Sequence, residues 1–444
     1  LVRSRPLVVF EMFRWLAGGR ARLKQQVAQR ASVDAARLPY NSAVLRYLQA
    51  QRRAGRSMYL TTGADSAVAN RVAAHLGLFD GVFASDGKTN LTNRKKLALL
   101  KKQFGQFDYI GNARADLSLL EAARQPMIAN PSRGLRMGLA VRKIRPVQVF
   151  YDRRSTPRTL LKAIRIHQWA KNVMLFVPVL LSHQLNARSI AAVVAAFFCF
   201  SFMASANYLV NDLMDIESDR RHPGKRLRPF AAGDLSVAGG VLLAAVLFAA
   251  SLSILPMLPA AFALWVAAYI AATTSYTVYF KRIAIVDVLL LSGLYTLRLL
   301  AGGAATGTPI SHWLAGFSSF LFLSLAMVKR FSELENLRER GAISTHGRGY
   351  LVADLEQIRS FGTSSATASV VIFAVYISGQ DVVALYRHAG RLWFIVPLLL
   401  LWIYRVWLLA SRGELDDDPV VFAMRDRISL AIGACVVLLA ILAT

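Results

Sequence analysis

The sequence predicts a multi-pass α-helical membrane protein of about nine transmembrane helices with an N-terminal α/β domain, and three observations lead there. Apolar residues fill 55% of the 444 positions, more than in an average globular chain. They mix with charges before about residue 155 and afterwards gather into stretches of roughly 18 to 22 residues, the length that crosses about 30 Å of hydrocarbon. The connections between those stretches are alternately rich and poor in Lys and Arg. Two domains follow, residues 1–150 soluble and 156–444 in the membrane.

A formal charge of +27 on a soluble chain would suggest nucleic acid. Here part of the excess lies in the connections, where the inside-positive rule, anionic headgroups and phosphorylated substrates account for it, so nucleic acid is not an expected partner. Cys199 and Cys435 both sit in apolar stretches, without metal-ligand spacing or a disulfide framework, and read as inert thiols. Leu1 to Arg30 is too basic and too interrupted for a signal peptide.

In the soluble third, Ser57 to Gly63 is a short apolar run ending in hydroxyls, Ser66 to Leu78 has helical spacing, and Val82 to Ala84 is a second strand. Lys95 to Phe104 is helical, Phe107 to Asn112 a third strand, and Leu117 to Arg124 a helix. Repeated strand–helix units predict a parallel sheet with its site at the carboxyl ends of the strands, where Thr62, Lys95, Asn112 and Asp116 fall. From Leu60 to Asn130 these residues resemble the haloacid-dehalogenase-like phosphatases. That resemblance implies that Thr62 and Lys95 hold a phosphoryl group and Asp116 a magnesium ion, with Asn112 standing where many members have Asp. No Asp-x-Asp strand precedes them to supply a nucleophile, and Arg5 to Lys24 reads as the helix that would follow one. Glu11, on a helical pattern, cannot replace it. The expectation is a sequence that begins downstream of that motif or a degenerate regulator, and not a competent phosphatase. The plainer alternative makes Thr62 a strand-end cap and Lys95 a solvated lysine.

From about residue 172, roughly nine apolar spans are expected near 172–187, 190–211, 237–256, 259–279, 285–303, 312–330, 364–381, 391–411 and 427–443. Connections after the even spans carry Arg220, Arg221, Lys225, Arg226 and Arg228, then Lys281 and Arg282, then Lys329, Arg330, Arg338, Arg340 and Arg348, then Arg412 and Arg425. That asymmetry predicts an inner (cytoplasmic) membrane protein whose charged loops and N-terminal domain face the cytoplasm and whose C-terminus lies outside.

The most informative segment is Asn211-Asp212-Leu213-Met214-Asp215-Ile216-Glu217-Ser218-Asp219, followed by a cluster of Arg, Lys and Pro up to Pro229. Asp212, Asp215 and Asp219, three and four residues apart, share one helix face, with Asn211 and Asn207 on or near it. Acids so arranged repel unless a cation neutralises them, and oxygen ligands beside Lys and Arg favour Mg²⁺ shared with a diphosphate. The bland alternative is a solvated helix end.

This Asn-Asp-x-x-Asp-x-x-x-Asp pattern with His222-Pro223-x-Lys225-Arg226-x-Arg228-Pro229 resembles the UbiA superfamily of intramembrane transferases, from about Leu160 to the C-terminus. The resemblance implies a UbiA-like fold and Mg²⁺ at Asp212, Asp215 and Asp219. Most members have a second Asp-rich motif after span four. Here Tyr276 to Arg282 leads to a single acid, Asp287, and then to Arg298. Cations in place of acids suit a second substrate that is itself a phosphate. This matches the decaprenyl-phosphate phosphoribosyltransferase branch, as do Arg165-x-x-Gln168-Trp169-x-Lys171-Asn172, Arg298 to Gly303, Lys329-Arg330-Phe331-x-Glu333 and Asp418-Pro419.

That branch implies transfer of 5-phosphoribose from phosphoribosyl diphosphate to a polyprenyl phosphate, toward cell-wall glycan. Asp212, Asp215, Lys281, Asp287 and Arg298 are then the catalytic candidates. Asn211 joins the acidic face on the magnesium-bound diphosphate, and Asn207 lies near it. Lys225, Arg226 and Arg228 are candidates for the sugar 5-phosphate, Arg282 with Lys281 and Arg298 for the lipid phosphate or departing diphosphate, and Tyr276, Lys171, Gln168, Arg165, Lys329 and Arg330 for the remaining substrate contacts. Arg298 could instead serve an interior polar network, Lys329 and Arg330 could be plain anchors, and Trp169 an interfacial residue. A homo-oligomer is left open. The rival enzyme joins a prenyl diphosphate to an aromatic acceptor; the rival from another class is a transporter or scaffold, which leaves the acids without a purpose.

Overall fold

The computed structural model describes residues 8–31, 33–152, 157–183, 185–222, 224–339, 341, 349–415 and 418–444. Arg5, Pro223, Arg340 and Arg348, singled out above, lie outside them. The chain divides into two units, residues 1–163 with 212–240, and residues 164–211 with 241–444. The polar stretch after residue 211, expected with the membrane domain, thus groups with the N-terminal residues.

In the first unit, strands β1 (Tyr59–Asp65) and β2 (Gly81–Ser85) pair in parallel, with Tyr59 opposite Gly81. Strands β3 (Tyr109–Gly111), β4 (Pro126–Ala129) and β5 (Gln148–Phe150) form a second parallel sheet in the order β3-β4-β5. Local chemistry sets the punctuation. Asp65 accepts from the amide of Ala67 at 3.0 Å and opens the helix Ser66–Leu76, which stops at left-handed Gly77. The helix Asn93–Phe104 stops at Gly105, also at positive φ. Leu100, Leu119, Leu120, Ile128 and Leu135 fill the core between sheet and helices. The first three strands were legible; β4 and β5 were not. They are four and three residues long, and β4 opens on Pro126, which reads as a break although proline is tolerated as a strand's first residue. The sheets are small and none joins all five strands.

The long apolar helices are α1 (Ala187–Met214), α2 (Val237–Ile254), α3 (Ala260–Val278), α4 (Val286–Thr306), α5 (His312–Glu339), α6 (Leu355–Ile377), α7 (Ile395–Ser411) and α8 (Arg427–Ala443). Among the described residues seven helices are long and apolar enough to cross a membrane, not the nine expected. Two spans account for the difference. The first is no continuous α-helix: Ile166–Phe176 is a 3₁₀ segment that gives way to the short helix Val177–Leu181 at Pro178. The last, α8, has 17 residues and, unlike α7, which a preceding 3₁₀ turn lengthens to Ala389–Ser411, has no such extension. The seventh span also starts earlier than expected, because the polar first turns of α6 around Glu356 and Arg359 hid it from an apolar count.

The most enclosed of these helices is α4, with Val288, Tyr295, Leu299 and Ala301 all buried. It contributes to both large cores, one with α5, α6 and α7, the other with α1, α3 and the 166–181 segment. Between helices in lipid, close packing and polar contacts rather than water exclusion drive association. Gly302 shows the packing: a β-carbon there would collide with the carbonyl of Leu175, so the 3₁₀ segment lies directly on the α4 backbone. Hydroxyls supply the glue, as Ser292 Oγ donates to Ser319 O at 2.5 Å and Trp407 Nε1 to Ser324 Oγ at 3.0 Å.

Candidate active site

The acidic motif lies in the first unit. Asp212 occupies the last turn of α1, and the helix breaks at Asp215, which caps a short helix, Ile216–Arg221, that carries Asp219. The three acids therefore do not share one continuous helix, but two of them still converge. Asp212 and Asp219 are 3% and 4% exposed, and Nη1 of Arg228 donates to both, at 3.2 Å to Asp212 Oδ1 and 2.8 Å to Asp219 Oδ2. Asp215 is half-buried and its carbonyl accepts from Ser218 Oγ at 2.9 Å. Among the described residues no three acids, histidines or cysteines are gathered as a metal-ligand set. Lys225 and Arg226 lie exposed on the 3₁₀ turn Lys225–Leu227, which His222 caps by accepting from Gly224 N at 3.2 Å. Asn207 and Asn211 are half-buried near the end of α1.

The second unit gathers most of the remaining candidates into two clusters. In the first, Lys171 of the 3₁₀ segment and Lys329 of α5 both donate to one oxygen, Asp418 Oδ2, at 2.8 and 3.0 Å. Burial alone would raise the Asp418 carboxyl, but the two ammonium groups outweigh it and hold the group well below the usual carboxylate range. A depressed carboxyl contributes stability that is fully present above its unfolded value of about 4 and is lost only as pH falls through the lowered one. Nearby, Arg298 of α4 is 5% exposed and donates through Nε to Asn172 Oδ1 at 2.8 Å. Its guanidinium lies over the rings of Tyr269 and Tyr295, 5.1 and 5.5 Å from their centroids. Lys171 also faces the Tyr295 ring, at 5.6 Å. At the edge of this cluster Arg165, at left-handed φ, covers the ring of Tyr208 at 4.9 Å, while Trp169 Nε1 donates to Ser205 Oγ at 2.9 Å and Gln168 is half-buried.

In the second cluster, Asp287 at the start of α4 and Arg330 of α5 are 0% and 1% exposed, with Arg330 Nε donating to Asp287 Oδ2 at 2.6 Å. The hydroxyl of Tyr350 donates to the other Asp287 oxygen, and Arg330 also reaches Glu333 at 2.6 Å and Tyr276 Oη at 3.4 Å. Lys281 and Arg282 lie on the neighbouring 3₁₀ turn Phe280–Arg282, half-buried and exposed respectively. Asp287, expected among catalytic groups, is enclosed in an ion pair. Arg330, expected to contact substrate, is its counter-ion.

The N-terminal candidates are placed differently from expectation. Lys95 points to solvent, and the lysine near Asp116 is Lys96, one residue on: it is 7% exposed, 3.7 Å from Asp116 Oδ1, and donates to Tyr109 Oη at 3.2 Å. Burial lowers the Lys96 ammonium pKa, partly offset by Asp116. Asp116 accepts from Tyr109 Oη and from the amides of Asn112 and Ala113, each at 3.1 Å, and Thr62 Oγ1 accepts from Ala64 N at 3.1 Å in a local turn. Lys96→Met should therefore lower the stability of this unit by about 1–3 kcal/mol by leaving Asp116 short of a cation, whereas Lys95→Met should change it by less than about 0.5 kcal/mol. Urea titrations of both variants read the difference, and equal effects would refute this assignment.

Sequence reasoning quoted Asp418 without giving it a role, and missed Asn172, Tyr269 and Tyr295 as partners of the cations. The only signal for Asp418 was an acid followed by Pro419, a helix-opening pair; it does cap the short helix Pro419–Ala423, accepting from Val420 N at 3.2 Å.

The UbiA prenyltransferase family matches residues 173–431, and the chain belongs to that family. It is a multi-pass membrane transferase of UbiA type. An uncharacterized protein of Sinorhizobium fredii, y4nM, is 36% identical over 426 residues, covering 94% of this chain and 82% of that protein. The decaprenyl-phosphate phosphoribosyltransferase of Mycobacterium tuberculosis is 33% identical over 280 residues, 61% of this chain and 88% of that enzyme. Among solved structures, a UbiA homolog from Archaeoglobus fulgidus bound to GPP and Mg²⁺ overlays 64% of this chain and 99% of that one, at 17% identity and a TM-score of 0.50. That overlay establishes the shared fold.

Proposed function

We propose that the chain transfers 5-phosphoribose from phosphoribosyl diphosphate to a polyprenyl phosphate, releasing diphosphate, from the cytoplasmic face of the inner membrane. The observation that carries this reading is the charge balance of the second unit. Lys171, Lys329 and Arg298 lie within one neighbourhood, where both lysines pair with the single acid Asp418, while Asp287 is already committed to Arg330. Such a site favours an anionic acceptor over an aromatic one, and a lipid phosphate is already ionised at neutral pH, so no strong base is needed. The mycobacterial relative's name points the same way.

Mg²⁺ suits the acidic motif, because Asp212 and Asp219 aim hard oxygens at a common point now held by the Arg228 guanidinium. Asp212, Asp215 and Asp219 would hold the ion, with Asn211 beside them. Bound there, it would supply neutralisation of the diphosphate leaving group. The chain's own part is positional. Lys225, Arg226 and Arg228 are offered for the sugar 5-phosphate, and Lys281, Arg282 and Arg298 with Lys171 and Lys329 for the lipid phosphate or departing diphosphate.

The test incubates detergent-purified protein with Mg²⁺, phosphoribosyl diphosphate labelled in the ribose, and a polyprenyl phosphate. Label is expected in the lipid fraction. Label transferred from a prenyl diphosphate to an aromatic acid, with none in the phosphoribosyl arm, would replace this reading by the aromatic one.

A further inference from the structure

Among the described residues Arg298 is a buried cation whose partners are all neutral. Its N–H groups reach Asn172 Oδ1, the Leu294 carbonyl and Tyr269 Oη, and its flat faces lie on the Tyr269 and Tyr295 rings. Arg330, enclosed to the same degree, is by contrast matched by Asp287. A guanidinium is a permanent cation, and an uncompensated one inside a membrane-spanning bundle is costly unless an anion comes to it.

Backbone register sets up the contact with Asn172. In a 3₁₀ segment residues i and i+3 eclipse, so Asn172 and Leu175 share one face of Ile166–Phe176. On α4, Arg298 and Gly302 lie one turn apart on one face. Three residues of 3₁₀-helix and four of α-helix each rise about 6 Å, so with Leu175 seated on Gly302, Asn172 comes level with Arg298. An α-helical segment would turn the two residues about 60° apart and lose that match. The amide is itself fixed. Arg298 can only donate, so Oδ1 faces it, and Nδ2 donates to the buried Ser201 Oγ at 3.0 Å.

We propose that Asn172 is a positioning residue that aims Arg298 without neutralising it, and so reserves the guanidinium charge for a phosphate group of the substrate. A carboxylate at position 172 would hold the same nitrogen but cancel its charge; the amide holds it and cancels nothing. Nearby, Lys171 and Lys329 share Asp418, so the neighbourhood sets three cations against one acid, and a second acid would halve the excess. Whether the phosphate belongs to a lipid monophosphate or to a departing diphosphate rests on the transferase reading; the need for an anion at Arg298 does not.

The experiment measures binding to the 444-residue chain in detergent micelles without phosphoribosyl diphosphate. The probes are a polyprenyl monophosphate, the corresponding polyprenol, and inorganic diphosphate with Mg²⁺. Asn172→Asp is expected to weaken one of the two anions by at least about tenfold, the scale of a lost charge-assisted hydrogen bond, and the anion that weakens names the source. Asn172→Ala keeps the charge but loses the aim, and should weaken the same anion by about threefold. Polyprenol binding should stay within about twofold of the parent in both, and thermal midpoints check folding. In an Arg298→Gln background Asn172→Asp should add less than about twofold, because it acts through that guanidinium. Unchanged affinity for both anions in either folded variant overturns the proposal. So does an equal loss of polyprenol binding, the mark of a merely structural role. A parent that binds the anion but labels no lipid when phosphoribosyl diphosphate is added would overturn the transferase reading alone.

Discussion

Asp212→Ala is expected to lower lipid labelling from phosphoribosyl diphosphate by about 10³-fold or more, the scale of losing a principal electrostatic contact to a leaving group. The carboxylate is almost fully enclosed and shares Arg228 with Asp219, so its removal deletes one of two converging oxygens. Asp212→Asn keeps the shape and one oxygen but not the charge, and should remain at least about 10²-fold impaired. Folding is checked separately by the thermal midpoint in detergent, which should move little because Arg228 retains Asp219. Near-normal turnover in a folded Asp212→Ala protein would remove the acidic motif from the reaction.

The largest effect on stability is expected at Arg330. Truncation to Met strands Asp287, wholly enclosed, with the Tyr350 hydroxyl as its remaining side-chain hydrogen bond among those described above, and should cost about 3–5 kcal/mol. The double change Asp287→Asn with Arg330→Met removes both charges together and should recover at least half of that loss. Lys329→Met, the adjacent residue but partly exposed, should cost less than about 1–2 kcal/mol. Thermal unfolding of the three proteins in one detergent gives the comparison. A single Arg330→Met variant as stable as the parent would mean that Asp287 is neutral or hydrated.

What the sequence disclosed follows from the range of the interactions involved. Long apolar helices announce themselves because lipid demands a continuous run, and α1 to α7 were found within a few residues apart from the early start of α6 and the polar last turns of α5, which runs on to Glu339. The segment at residues 166–181 was misread because it is apolar for a reason other than spanning. It packs on Gly302, with Asn172 turned inward to Arg298. Residue types at the site were legible, but their partners were not. Arg330 could be seen as a cation and Asp287 as an isolated acid, whereas their pairing joins the start of α4 to the middle of α5. Lys95 against Lys96 is a one-residue question of helix phase, about 100° of rotation, which decides between solvent and Asp116.

The shared oxygen of Asp418 makes the cationic cluster asymmetric toward mutation. Each lysine has the other as an understudy: if Lys171 or Lys329 is lost, the connection between α7 and α8 remains tethered by the survivor. The carboxylate has no such substitute, since a single atom serves both tethers. Damage at this position therefore releases the connection in one step.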